Sequence, residues 1–504
     1  MVKGYFRIFA FLTFLTGALY AQDFGKVHEL VIQGIDAEYN MDFSLALTKF
    51  QEAKSIAPND LRGPFFESTI YFWKSTLTRN KTEYETFMNL SDKIVEKCEE
   101  IIDKNENDLD ARLYLGWIYT MRSFALAYID QSYLKGASEI KDGNNHLQFV
   151  IEKNPNYNDA ALGLGVYNFI TSFIPRKLQF LTSILGFEGD REKGRKYLEQ
   201  ASEKGTYTKS EAKFYLTILS WREENYPAAE SYAAQLKQQY PQSPAVWMLW
   251  GGLLSQQDKM AEAVEAYEQS LEYNKGKNSE IIFRTAYGAL GSAYFRMNDY
   301  SKSAEYGKLF ISYLTKDDNM NNRLYSTGVS LEFMGDRNAA LEYYRKARTD
   351  MKDDNQWEKY WLRKLREREA APLTVTDSLL IAADNNRATG KLTEAAKDYS
   401  TLTNTQNANY NDDIKAQINQ GLGQLYYKQK DYNKAIEQFK LNSSLNPQNE
   451  KWLVPESYFQ IGRCYLKLGN KSEAQKYFDK ALDIDYDYDF KDSMDGKIKN
   501  ELTK

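Results

Sequence analysis

The stretch GLGQLYYKQKDYNKAIEQFKLNSSLNPQN (residues 421–449) decides the fold, because its spacing of small and aromatic residues returns in IGRCYLKLGNKSEAQKYFDKALDIDYD (residues 461–487). In the first stretch, Gly423 is followed twelve residues later by Ala435 and four residues after that by Phe439. In the second stretch the same intervals separate Gly462, Ala474 and Phe478. One pattern that recurs at a fixed period indicates a repeat architecture.

Both stretches resemble the tetratricopeptide repeat, which folds as two antiparallel helices in about 34 residues. The small residues let the paired helices approach closely, and the aromatic residues fill the wedge between neighbouring repeats. Further copies contain Gly34, Ala46, Phe50, Ala53 and Pro58; Leu216, Ala229 and Pro241; Trp247, Gly251, Ala263 and Tyr267; Leu290, Gly291 and Tyr294; Gly328, Ala340, Tyr344 and Ala347; and Ala395 and Tyr399. The resemblance implies an all-α fold, a superhelical solenoid of roughly nine to ten helix-turn-helix repeats between residues 26 and 485.

One internal boundary is predicted in DNQWEKYWLRKLREREAAPLTVTD, residues 354–377. Pro372 ends an amphipathic helix there, since proline cannot continue a helix. We therefore predict an N-terminal and central array over residues 22–370, with an inserted helix near 170–189, and a C-terminal block over 371–504 whose charged tail caps the solenoid or frays. The apolar residues expected to cover the end of a hydrophobic stack are Trp357, Trp361 and Leu365.

The first residues, MVKGYFRIFAFLTFLTGALYAQD, are typical of a secretory signal peptide. A basic start is followed by an apolar run over residues 8–19, which is too short to span a membrane. We expect residues 1–21 to be removed after Ala21, so that the mature chain begins near Gln22. No cysteine is available there for a lipid anchor, and the composition favours a periplasmic or secreted bacterial protein.

Composition excludes several classes of site. The net charge is -5 with mixed signs, whereas a nucleic-acid partner requires a basic face. Two histidines and two cysteines are too few and too far apart in sequence for a zinc site or a Cys-His nucleophile, so no catalytic residue, metal or cofactor is expected. Cys98 and Cys464 are either two separate buried thiols or one disulfide. The acidic-aromatic run DIDYDYDF (residues 483–490) is either a solvated segment or, although it lacks EF-hand spacing, a Ca²⁺ site.

The stretch FIPRKLQFLTSILGFEGDREKG, residues 173–194, departs from the repeat. Its glycines are accompanied by acidic residues, which would repel a phosphate. We interpret it as an extra helix over residues 174–187, between the two helices of one repeat. Its apolar stripe either packs against the solenoid or lies in a membrane surface, and contains Leu178, Leu181 and Leu185. Residues 174–198 also resemble a eukaryotic tetratricopeptide family linked to lipid droplets and inclusion-body clearance.

The remaining candidate surface is the concave face that stacked repeats create. The residues expected to point into it are Arg296, Tyr325, Gln420, Gln424, Tyr427, Arg463 and Lys467. Amide, aromatic and cationic groups suit a peptide or an extended acidic segment. The chaperone-docking branch of the family clamps a terminal carboxylate with Lys and Asn, where this chain has glutamines, so that clamp is not expected. We predict a non-enzymatic protein- or peptide-binding scaffold in the bacterial cell envelope; the alternative is a membrane-associated protein that uses the 174–187 helix.

Overall fold

The computed structural model describes residues 24–172, 189–314, 321–349, 351, 355–404 and 409–502, and within these ranges it contains helices and no strand. We number the helices along the described chain. They are α1 (24–39), α2 (Phe43–Ile56), α3 (Arg62–Thr78), α4 (Lys81–Lys104), α5 (Leu109–Tyr128), α6 (Tyr133–Lys153), α7 (Ala160–Thr171), α8 (Arg191–Lys204), α9 (Lys209–Arg222), α10 (Tyr226–Gln239), α11 (Pro244–Gln256), α12 (Met260–Asn274), α13 (Glu280–Arg296), α14 (Tyr300–Ser312), α15 (Asn321–Phe333), α16 (Arg337–Arg348), α17 (Gln356–Ala370), α18 (Val375–Ala388), α19 (Leu392–Thr403), α20 (Asp412–Lys428), α21 (Tyr432–Leu441), α22 (Leu453–Lys467), α23 (Lys471–Leu482) and α24 (Lys491–Leu502). The predicted all-α solenoid is confirmed.

The turn inside many of the described helix pairs has one recurrent construction. A residue with positive φ ends the first helix, and an Asp or Asn then caps the second helix by accepting a hydrogen bond from a backbone N–H of its first turn. For example, Lys430 has φ 62° and is followed by Asp431, whose carboxylate accepts from the Lys434 N–H at 3.2 Å. The same positive-φ and cap pairs are Met41 and Asp42, Arg79 and Asn80, Glu224 and Asn225, Asn298 and Asp299, Gly335 and Asp336, and Gly469 and Asn470.

In several pairs a glycine of the first helix packs directly against a buried ring from the second helix. A methyl group added at Gly423 would lie 2.5 Å from Cε1 of Phe439, and one at Gly251 would lie 2.5 Å from Cε1 of Tyr267. Both distances are far below van der Waals contact, so these positions require glycine. The same arrangement pairs Gly34 with Phe50, Gly328 with Tyr344, and Gly462 with Phe478.

Two cysteines are free and buried, so the prediction of separate thiols is confirmed and a disulfide between them is excluded. Burial raises the pKa of Cys98 to about 12 and that of Cys464 to about 12. Both thiols are therefore protonated and unreactive in the folded protein.

Contacts between Cα atoms divide the chain into two compact units, Met1–Trp250 with Glu272–Ile281 and Gly251–Leu271 with Ile282–Lys504. The boundary predicted at 370/371 falls inside the second unit, where α17 ends at Ala370 and α18 begins at Val375. The division into 22–370 and 371–504 stays a prediction.

The first unit curves until its beginning contacts its later repeats. Nδ1 of His28 on α1 lies 2.8 Å from the hydroxyl oxygen of Tyr207, which precedes α9. The Ser243 hydroxyl, just before α11, donates to the Tyr39 carbonyl oxygen at 2.6 Å. These contacts join residues about 180 to 200 positions apart in sequence, so the first helices of this unit surround a common interior.

The second unit is closed at its C-terminal end. Met494 and Ile498 of α24 are buried in a cluster with Phe459 and Phe478, so the charged tail forms a capping helix. In residues 483–490 only part of the chain is solvated. The Phe490 ring packs 5.2 Å from that of Tyr360.

Of the residues expected to cover a hydrophobic stack, Leu365 is fully buried and Trp361 packs 5.3 Å from the ring of Tyr325. Trp357 is 48% exposed, and its ring lies 5.9 Å from that of Phe490. Arg363 of the same helix forms an ion pair of 2.7 Å with Asp489, so α17 holds the acidic-aromatic run in place. Among the described residues, no group of three or more His, Cys, Asp or Glu is arranged to hold a metal ion.

Two sequence predictions fall on residues that the structure does not describe. The predicted signal peptide, residues 1–21, and the apolar stripe of Leu178, Leu181 and Leu185 both lie outside the described residues. Whether that stripe packs or meets a membrane stays a prediction. Within the described ranges no helix combines the length and apolar character needed to cross a bilayer.

The glycine–ring packing gives a stability prediction. Gly423→Ala pushes a methyl group into the Phe439 ring, and we expect it to lower the free energy of unfolding by about 1–3 kcal/mol, since overpacked cores are destabilised by that amount. Urea unfolding followed by circular dichroism measures the loss.

Gly496→Ala in α24 is the matched control, because no atom lies within 4 Å of the added methyl. It should be neutral or stabilising by up to about 1 kcal/mol through helix propensity. In a Phe439→Leu background, which makes room, the penalty of Gly423→Ala should fall below about 1 kcal/mol. An equal loss in both backgrounds would contradict the packing explanation.

Candidate functional site

All seven residues predicted for the concave face lie in the second unit and on the first helices of helix pairs. Arg296 ends α13, and Tyr325 lies on α15. The other five lie on α20 and α22, and are Gln420, Gln424, Tyr427, Arg463 and Lys467. The structure does not bring these residues into a single site, because two of them line separate cavities and five line neither.

The cavity that contains Arg296 is polar and has a volume of about 390 Å³. We call it the Arg296 cavity. Its described lining consists of Ser255, Gln256, Asp258, Arg296, Asp384, Asn385, Arg387, Ala388 and Lys428. Three of these side chains are cationic and two are carboxylates, so the lining carries one net positive charge.

Two of the three cationic side chains form ion pairs within the cavity. Lys428 forms an ion pair with Asp258, and Nη2 of Arg387 lies 3.0 Å from Oδ1 of Asp384. Arg296 is exposed, and no described residue forms an ion pair with it. The surplus charge of the cavity is therefore carried by Arg296.

The Asp384–Arg387 pair is held by a buried tyrosine. The fully buried Tyr399 donates its hydroxyl hydrogen to Oδ1 of Asp384 at 2.6 Å, and Nε of Arg387 donates to the Tyr399 oxygen at 3.3 Å. Burial lowers the pKa of Arg387, but the charges and hydrogen bonds of Asp384 and Tyr399 together outweigh it and raise that pKa. Arg387 therefore remains charged and fixed in place.

Asn385 links α18 to the end of α13, next to Arg296. Its Nδ2 donates to the backbone oxygen of Phe295 at 2.8 Å and to Oδ1 of Asn298 at 2.9 Å. Because Phe295 immediately precedes Arg296, this link fixes the backbone from which the arginine side chain leaves.

Tyr325 lines a second cavity of about 390 Å³, in which carboxylates outnumber cations. Its cations are paired: Lys364 forms an ion pair with the buried Glu450, and Arg368 lies 3.2 Å from Asp377. The Tyr325 ring itself packs against aromatic neighbours, so this residue acts in packing as well as in lining.

The predicted residues of α20 and α22 serve the end of the array. Gln420 is buried and accepts a hydrogen bond from the Ser457 hydroxyl at 2.9 Å. Arg463 lies 5.0 Å above the ring of Tyr427 and 3.3 Å from Glu501 of α24, so it holds the capping helix. Gln424 is half-buried and Lys467 is exposed.

Sequence reasoning missed Arg387, Asn385 and Lys428, which complete the Arg296 cavity. A signal was present in DNNR (residues 384–387), four consecutive polar residues inside a short helix. Such a run cannot be buried unless it is hydrogen-bonded, and this one is bonded to Tyr399, Asn298 and Phe295.

Known proteins are similar to the chain as follows. The crystal structure of a tetratricopeptide repeat protein from Parabacteroides merdae is 15% identical, with 58% of this chain and 98% of that chain covered and a TM-score of 0.25. The human IFIT1 dimer, solved with m7Gppp-AAAA, is 12% identical, with 92% and 95% covered and a TM-score of 0.37. No curated protein matches the sequence.

Two family models match parts of the chain. Residues 157–316 match the Iml2/Tetratricopeptide repeat protein 39 model, which confirms the resemblance found in residues 174–198 because that stretch lies inside the match. Residues 416–449 and 455–488 match the tetratricopeptide repeat model. These two segments correspond to α20 with α21 and α22 with α23, whose glycine–phenylalanine packing was described above. The chain therefore contains tetratricopeptide repeats.

Proposed function

We propose that this protein is a non-enzymatic scaffold that binds a partner protein, and that the Arg296 cavity takes an acidic segment of that partner. The observation that carries the proposal is the surplus positive charge of the cavity, which belongs to a cation without an ion-pair partner among the described residues. Repeats of this family stack first helices into an extended binding face, on which Arg296 lies.

The chemistry of the lining fits a carboxylate-bearing peptide. A guanidinium binds a carboxylate through two parallel hydrogen bonds, and arginine remains charged at every physiological pH. The exposed Gln256 adds an amide group that can pair with a peptide backbone. Because Asp384 and Asp258 neutralise their own cations, one additional anion leaves the cavity balanced.

This proposal predicts that Arg296→Gln weakens binding of an acidic peptide. With a fluorescein-labelled decaglutamate peptide as the probe and fluorescence polarisation as the readout, we expect about a tenfold increase in Kd, or about 1.4 kcal/mol. The reason is that a charge-assisted hydrogen bond contributes about 1.5–3 kcal/mol.

Lys308→Gln is the matched control, since it removes an exposed cation of α14 that lines no described cavity. It should leave the Kd unchanged, and decalysine should bind neither protein. If Arg296→Gln and Lys308→Gln weaken binding equally, the effect is one of net charge and the assignment to this cavity is wrong. Tighter binding of a single-stranded RNA decamer than of decaglutamate would favour a nucleic-acid partner instead.

We also propose that the protein acts in the bacterial cell envelope, on the basis of the first 21 residues. Expression of the whole chain in a Gram-negative host should yield a periplasmic protein whose N terminus, measured by intact mass, is Gln22. Leu15→Arg interrupts the apolar run and should leave the full-length chain in the cytoplasm, whereas Leu15→Val should not. A full-length cytoplasmic wild-type chain would contradict this location.

A further inference from the structure

The closed first unit surrounds a cavity of about 110 Å³ on the inner side of α1, α3, α5, α7 and α9. These are the first helices of consecutive pairs, so the cavity is the concave interior of this unit. Its walls are rich in aromatic side chains, and we call it the aromatic cavity. The rings that define it are Phe65, Phe72, Trp73, Trp117, Phe124 and Tyr215.

Two side chains on the described lining are charged, and both are acids, Glu38 on α1 and Glu211 on α9. Glu38 accepts a hydrogen bond from the Thr69 hydroxyl, whose oxygen lies 3.1 Å from Oε1. No described residue donates a hydrogen bond to Glu211 or forms an ion pair with it. Glu211 is partly withdrawn from solvent, and a carboxylate in such a place is costly without a partner, so the cavity has room for a donor or a cation beside it.

The ionisation of both acids is displaced by their surroundings. Burial raises the pKa of Glu38 to about 8, with opposition from the Thr69 hydrogen bond and a further increase from the charge of Glu211. Burial also raises the pKa of Glu211 to about 7. The tyrosines that face them stay neutral in this range, because burial raises the pKa values of Tyr39, Tyr207 and Tyr215. The nearby Arg62, which donates to Tyr207 at 3.2 Å, is paired with Asp60 at 2.6 Å.

A second cavity of about 140 Å³ adjoins the first and shares Glu38, Tyr39 and Trp73 with it. Apart from Glu38, its described lining is uncharged and largely apolar, so we call it the apolar slot. It includes Met41, Phe43, Leu77, Phe214, Leu236 and Val246. A charged group in the aromatic cavity therefore has an apolar compartment beside it.

We propose that the first unit binds an alkylammonium ion, with the cationic head in the aromatic cavity against Glu38 and Glu211 and the apolar chain in the apolar slot. The faces of tryptophan, tyrosine and phenylalanine attract cations, and aromatic cages are the usual receptors for alkylated ammonium groups. Two carboxylates and no cation on the described lining exclude an anion. A purely apolar ligand would leave Glu211 without a partner.

Hexyltrimethylammonium is a suitable probe, with 1-hexanol as the uncharged compound of equal chain length. Binding to the purified full chain is measured by calorimetry at about pH 6 and about pH 8.5. Glu211 ionises between these two pH values. The affinity for the cation should therefore be about tenfold or more higher at about pH 8.5 than at about pH 6, whereas the affinity for hexanol should be the same at both. Equal cation affinity at both pH values, or tighter binding of hexanol, would overturn the proposal.

Two neutral variants of nearly identical shape test the residues. Glu211→Gln should weaken cation binding at about pH 8.5 about tenfold and flatten its pH dependence, and Glu38→Gln should act in the same direction. Glu29→Gln, an exposed position on α1, is the control and should behave as wild type. Circular dichroism verifies that each variant is folded. If a variant does not fold, the pH dependence of the wild-type protein still tests the proposal. Unchanged cation binding by a folded Glu211→Gln protein would show that the carboxylate has no part in the site.

Discussion

The close approach of a glycine to a buried ring is the contact on which the rest of the structure depends. Without a side chain at Gly423 or Gly251, the first helix of a pair can lie directly on the ring of the second. Glycine inside a helix costs about 1 kcal/mol relative to alanine, and the packing of a fully buried Phe or Tyr offsets that cost. Five described pairs use this contact, at Gly34, Gly251, Gly328, Gly423 and Gly462, so these pairs stack their two helices in the same way, and the curvature of a repeat array accumulates from one pair to the next.

The fold could be predicted from the sequence because this contact requires a glycine and an aromatic residue at a fixed separation along the chain. A glycine, an alanine twelve residues later and an aromatic residue four positions beyond recur at Gly423 and Gly462, and the helices lie where that spacing places them. The turns are equally local, since a residue with positive φ followed by an Asp or Asn cap is readable in the sequence at Lys430 and Asp431. Such short-range patterns determine where each helix begins and ends and how it packs against the next helix in the chain.

The sites depend on contacts between distant residues, and the sequence predicted them only in part. Arg296 was found because it follows the pattern of a first helix, but Lys428, more than 130 residues away in sequence, joins it only through the curvature of the unit. In the sequence, nothing distinguishes Glu38 and Glu211 from ordinary solvent-exposed acids. They line one cavity because α1 contacts the segment before α9 through His28 and Tyr207. The predicted residue Gln420 instead pairs with Ser457 of the next repeat, and Arg463 forms an ion pair with the terminal helix.

Two cavities, one in each unit, differ in the charge of their linings. The aromatic cavity of the first unit holds only acids among its described charged residues, and the Arg296 cavity of the second unit holds an excess of cations. Opposite local charge on one type of scaffold means that selectivity resides in the few side chains that line each interior, while the helices behind them stay alike.

The two buried thiols have a consequence for how unfolding can be observed. Cys98 lies in the first unit and Cys464 in the second, so each unit contains one native thiol that is protected as long as its own helices remain packed. A thiol reagent in a denaturant series would modify Cys98 or Cys464 when the surrounding region opens, and peptide mapping would distinguish them. The natural sequence thus supplies an internal probe for asking whether the units open together or one at a time, without any label or substitution.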